Sequence, residues 1–259
     1  SWRAPTLEDL MQTARAEDVW KYIYEICDAM AWMHKHNLVH CNLRPSNVLV
    51  SEEGASSMVI SDMVQGWVGG LQNFTQKDHC FYLSPEQMQN PEALLSQALR
   101  WDVYSFGVVA YRLITGKFPR GMSLVPQAEK GKIPDPETLG LIDPVEILNT
   151  VCDETEVHWP DEGSVAWNAR RCQIIEKCLA LDPMQRWADL REVMREFECL
   201  EADYLLEDAR QKIESEKRER QRKVKLYKVA SLLLGAGLVL GAGYAGYVRY
   251  LADQEKSQS

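Results

Sequence analysis

The sequence predicts a mainly α-helical domain with one short β-hairpin, followed by a helical stalk and a single transmembrane helix. Three observations give that class. Long stretches repeat apolar residues at helical spacing. Two short apolar runs, residues 48–50 and 58–60, flank the turn-like "SEEGASS". Residues 229–248 form a run of twenty without a charge.

Taken in order, residues 1–12 are polar and read as a loop entering a helix, with Thr6 at its N-cap. Residues 17–36 place Val19, Tyr22, Ile23, Ile26, Ala29, Met30 and Met33 on one helical face. The loop that follows, "LVHCNLRPSNVLV" at 38–50, presents His40, Asn42, Arg44 and Asn47 but no carboxylate. After the hairpin, Asp62 emerges at a strand end. Residues 101–116 are a very apolar helix bearing Asp102, which reads as buried. The Pro-rich stretch 119–160 is irregular and yields no element. Residues 169–197 read as two helices broken at Asp182-Pro183. From 187 to 228 there is neither Gly nor Pro, and Ala209 to Lys223 is almost wholly polar: a solvated stalk, or a weak coiled coil. The expected divisions are 1–198 for the lobe, 199–228 for the basic stalk, 229–248 for the span and 249–259 for a short tail.

Seven cysteines are scattered with no C-x-x-C pair, which points to a reducing compartment and away from a disulfide framework or a zinc site. The net charge of −9 is uneven. Residues 217–228 hold seven basic residues and one acidic, so residues 1–216 carry about −15. An acidic body with a compact basic patch excludes nucleic acid as a partner and suits anionic lipid near 217–228.

Twenty helical residues span roughly 30 Å, the thickness of a hydrocarbon core. Five Leu and three Val in 229–248 supply about −2 to −5 kcal/mol of insertion energy, which the glycines dilute. Seven Lys and Arg precede the run and two follow it, so the N-terminal lobe is expected on the cytoplasmic side of a single-pass membrane protein. Tyr244, Tyr247 and Tyr250 cluster at the far interface. Gly237, Gly241 and Ala245 form a small-residue stripe open to homodimer formation.

The chain presents, in order, a helix, His40-Cys41-Asn42-Leu43-Arg44-Pro45-Ser46-Asn47, a hairpin, Asp62-Met63-Val64, "YLSPEQ", "DVYSFG" and "DPMQRW". Over about residues 5–198 this resembles the C-terminal lobe of protein kinases, in the serine/threonine branch. In the family signature H-R-D-L-K-x-x-N, the Asp accepts the proton of the substrate hydroxyl and the Asn ligates the second magnesium. The resemblance places Asn42 at the catalytic Asp and Arg44 at the catalytic-loop Lys. Asn47 and Asp62 fall on the nucleotide-binding and magnesium-ligating positions. His40, Glu86, Asp102 and Arg186 fall on structural positions. Glu86 and Arg186 match the family's buried ion pair, and Asp102 the acceptor of backbone bonds from the loop around His40. His34, His36 and His40 mimic metal spacing, yet His34 and His40 match structural histidines.

The departures from the pattern point one way. An amide carries no negative charge and does not take a proton usefully at neutral pH. A positioned acid–base group is worth roughly 10²–10⁴-fold, about 3–5 kcal/mol of barrier. Cys41 replaces the Arg that pairs with a phosphorylated activation loop, which gives phosphate on Thr75 or Tyr82 no cation there. Arg44 keeps the charge of the Lys but not its shape. His79 replaces a small hydroxyl residue, and Val64 replaces a Gly whose freedom permits flipping. The family's Gly-rich loop, V-A-I-K lysine and partner Glu have no counterpart in residues 1–259. A chain complete as given would lack phosphate cover, Lys anchor and much of the adenine site.

Two functions follow as expectations. One is a membrane-anchored pseudokinase-like scaffold without a cofactor, resembling bacterial membrane kinases in layout and binding a protein partner such as an active kinase. The other is a fragment of a serine/threonine protein kinase that uses Mg-ATP. A weaker third assigns the work to stalk and span alone, through dimerisation.

Overall fold

The computed structural model describes residues 5–11, 15–51, 58–63, 77–126, 136–159 and 169–257. The turn at 52–57, Val64 and Thr75 lie outside them, as does the side chain of His79. The chain divides into two compact units, Ser1–Leu200 and Glu201–Ser259.

The first unit is built around α4 (Leu94–Thr115). Trp101, Val103, Tyr104, Phe106, Val108, Val109 and Ala110 on this helix are all buried, because α2 (Ala16–Lys35) and α7 (Ala169–Cys178) pack against it. A helix apolar all round needs neighbours all round. Close approach to α7 depends on Gly107, where an added Cβ would lie 2.9 Å from the Cβ of Cys178. The helix ends at Gly116, left-handed with φ 70°, whose N–H returns to the Arg112 carbonyl at 2.8 Å. The buried face of α2 carries Val19, Ile23, Ile26, Met30 and Met33, with Tyr22 and Ala29 at its half-buried margin.

Strands β1 (Val48–Val50) and β2 (Met58–Ile60) pair antiparallel, Val48 opposite Ile60 and Val50 opposite Met58. Thr6 forms an isolated bridge to Leu49, just ahead of α1 (Leu7–Met11). Its hydroxyl donates to Asp9 at 2.8 Å, so the cap at Thr6 is made by the Asp9 carboxylate, which also receives the Thr6 N–H.

In the region 119–160, silent in sequence, the described residues hold two helices, α5 (Pro136–Leu139) and α6 (Pro144–Asp153). The start of α6 is set by Asp143, which accepts the Val145 N–H, and by Pro144 at the first helical position. Ile147 and Val151, one turn apart, are its buried contacts. The short α3 (Pro85–Gln89) starts the same way on Ser84-Pro85.

The last helix, α8, runs Leu190–Ser257. From Glu201 to Arg249 every residue except half-buried Tyr204 is exposed. This helix is long and apolar enough in its 229–248 region to cross a membrane. Its polar part carries three exposed (i, i+4) ion pairs, Asp208–Lys212, Glu214–Arg218 and Glu219–Lys223, each with the acid on the N-terminal side. That is the favourable order for a lone helix.

Candidate functional site

The site is assembled from α4 outward. The Asp102 carboxylate is wholly buried and accepts three hydrogen bonds. The His40 N–H reaches Oδ2 and the Cys41 N–H reaches Oδ1, both at 2.7 Å, and His34 Nε2 donates to Oδ2 at 3.1 Å. The Leu190 N–H donates to His34 Nδ1 at 3.1 Å, so the ring proton sits on Nε2. A buried charge needs such donors. This one fixes where the loop leaves the core.

Cys41 is left-handed at φ 57°, a strained setting held by clamps on both of its polar groups. Its N–H goes to Asp102 and its carbonyl accepts from Gln87 Nε2 at 3.0 Å. The thiol packs beside Ala98 and Trp101. Burial, helped by the Asp102 charge, pushes the thiol far up, so it acts as a small apolar group.

His40 turns its ring toward the segment after β2. Its Nδ1 accepts the Asn42 N–H at 3.1 Å, and its Nε2 donates to the Ser61 carbonyl at 2.9 Å. Burial lowers its pKa from 6.5, against the opposing pull of Asp102. Asn42, buried, donates from Nδ2 to the Asp62 carbonyl at 3.1 Å. Asn47 donates from Nδ2 to the Asn42 carbonyl at 2.8 Å, and its own carbonyl accepts from Ser61 N and Ser61 Oγ. Ser61 Oγ also lies 3.1 Å from Asp62 Oδ2. Asp62 is exposed and left-handed, φ 58°. Arg44 is half-buried and extended where the loop enters the 3₁₀ turn Pro45–Asn47.

The structure thus brings His40, Asn42, Asn47 and Asp62 into one network, stitched by Ser61. Sequence reading passed over that serine. A hydroxyl directly before the Asp, on a segment that must dock to a loop, was the available signal. Asn47 and Asp62 fit magnesium in kind: with Nδ2 of Asn47 committed, its oxygen and the Asp62 carboxylate are hard donors. Among the described residues no group of three His, Cys, Asp or Glu is placed to hold a metal.

Glu86 and Arg186 lie further out and form a two-bond ion pair at 2.6 and 2.9 Å. Arg186 spends its other donors on the carbonyls of Ala180, Leu181 and Arg100, and its guanidinium lies over the Tyr104 ring. A second buried pair escaped the sequence reading. Arg112 on α4 meets both oxygens of Glu8 at 2.9 and 3.1 Å, donates to the Tyr82 hydroxyl and covers Phe118. An arginine inside an apolar helix had to find a carboxylate.

Taken together, the geometry defines a helical lobe that presents a clamped loop beside an Asp-bearing segment at the end of a hairpin. Residues 4–199 match the protein kinase domain family model. A probable serine/threonine-protein kinase of Clostridium acetobutylicum is 25% identical over 189 residues, 72% of this chain. The probable serine/threonine-protein kinase PknB of Lactococcus lactis is 34% identical over 101 residues, 38% of the chain. PknB of Mycolicibacterium smegmatis is 28% identical over 124 residues, 44% of the chain. The matches span 25%, 15% and 19% of those relatives' own lengths. The chain belongs to the protein kinase domain family.

Proposed function

We propose that this chain is a catalytically deficient, membrane-anchored kinase-like scaffold whose lobe binds a protein partner, such as an active kinase, at the cytoplasmic face. One observation carries the reading. The side chain at the proton-accepting position of the loop is Asn42, an amide that turns its donor end toward the Asp62 carbonyl. It has no charge with which to draw a proton from a hydroxyl. The reading needs no cofactor.

Support for the anchor comes from the uncharged 229–248 run and its basic flank. Two of the seven flanking cations, Arg218 and Lys223, are paired with Glu214 and Glu219. Lys217, Arg220, Arg222, Lys225 and Lys228 are left for anionic headgroups, at about 1 kcal/mol each near the surface. Gly237, Gly241 and Ala245, at four-residue spacing, would let a second copy of the helix approach closely.

A second reading, a fragment of a serine/threonine kinase that moves the ATP γ-phosphate to protein, draws on Asn47 and Asp62, two oxygen-bearing side chains whose residues are joined through Ser61. The purified full chain in lipid nanodiscs, given radiolabelled Mg-ATP and a basic protein substrate, separates the two. No label should reach the substrate. Stoichiometric or catalytic transfer would overturn the scaffold reading.

A further inference from the structure

The two ends of the Asn42 amide differ, and its neighbour decides which end faces inward. The atom it meets at 3.1 Å is a backbone carbonyl oxygen, that of Asp62. A carbonyl only accepts, so the NH₂ end faces it. A carboxylate in the same place has no proton to give at neutral pH. Two acceptors would then face one another at a part-buried contact, with Asn42 itself buried.

The bond also lands on a residue with a left-handed backbone. Asp62 is left-handed, a costly state for a residue with a Cβ unless neighbours hold it. Its carbonyl orients the peptide plane that leads into Met63. Asn42 cannot easily retreat, because its N–H is held by His40 and its carbonyl by Asn47. The rest of the stitching reaches Ser61: His40 to its carbonyl and Asn47 to its N–H and hydroxyl. The Asn42 amide reaches one residue further, to the Asp62 peptide.

We propose that Asn42 is a positioning residue, a latch that holds the Asp62 peptide against the loop through a hydrogen bond that aspartate cannot make. The inference deepens, and rests on, the reading of this loop as one that no longer transfers phosphate. The amide is then a replacement with a task of its own. Putting Asp back unlatches the segment instead of restoring it.

Native-state hydrogen exchange on the full chain in nanodiscs tests this, comparing the natural protein with Asn42→Ala and Asn42→Asp. Peptides covering 58–63 should exchange about fivefold faster in Asn42→Ala, the loss of one hydrogen bond. In Asn42→Asp they should exchange at least about tenfold faster, since repulsion is added to that loss. Peptides from α4 should be unchanged in both, which separates local unlatching from general loosening. Exchange in Asn42→Asp equal to or slower than in the natural protein overturns the proposal, as does an equal rise in α4. Should Asn42→Asp fail to fold, Asn42→Ala decides: natural rates at 58–63 sink the latch. Phosphate transfer by the natural chain would defeat the scaffold reading and leave this exchange order standing, so the two failures are distinguishable.

Discussion

Two ion pairs in this molecule have the same separation and very different surroundings. Arg186 lies 2.6 Å from Glu86 in the lobe, and Arg218 lies 2.6 Å from Glu214 in the long helix. The first pair is 0% and 16% exposed at its two side chains; the second is 73% and 65% exposed. Arg186 also serves three carbonyls, whereas Arg218 faces water. Distance therefore says little about worth. What counts is what happens to the abandoned partner: Glu86 would be left charged in a poor solvent, and Glu214 would be rehydrated at once.

The contrast can be put under load, the strongest perturbation first. Arg186→Ala should cost the lobe about 3–5 kcal/mol in urea unfolding, because it strands Glu86 and three carbonyls together. A loss under 1 kcal/mol would make the two pairs equivalent. Acid should act next, through His40. Its folded pKa lies below 6.5, so the unfolded chain takes up a proton that the folded lobe refuses. Stability is full above about pH 6.5, falls as the pH drops below it and levels off beneath the folded pKa. His40→Gln should flatten that part of the urea-midpoint profile between pH 7.5 and 5.5, and an unchanged slope would clear His40. The smallest effect belongs to Arg218→Gln, about 0.3–0.5 kcal/mol of helix stability, seen as a slight loss of circular dichroism that vanishes in high salt.

The lobe was legible because its signals were redundant. α2 showed a clean apolar face, the hairpin two short runs, and the loop, Asp62, Glu86, Asp102 and Arg186 stood in motif order. α6 was missed although Asp143-Pro144 and the Ile147/Val151 spacing were on the page; proline density drew the reading toward an irregular loop. Hydrogen-bond partners were harder. Nothing in "HCNLRPSN" says that Asn42 aims at a carbonyl twenty residues on, since that contact needs the hairpin to fold back first. Arg112 and Glu8 stand 104 positions apart, and only the packed lobe makes them neighbours. The charge pairs of the stalk, by contrast, were nearly given by one-turn spacing.

The histidine string of the loop has a practical corollary. In the folded lobe the Nδ1 lone pairs of His34 and His40 each accept a backbone N–H, and both Nε2 atoms carry protons that are already donated. His36, exposed and tilted against Trp32, keeps an outward nitrogen, and His158 is exposed as well. Unfolding frees all three imidazoles of the string together with the buried thiols. Nickel or copper therefore prefers the unfolded chain and pulls the equilibrium toward it by mass action. Added nickel should therefore lower the urea midpoint of the lobe.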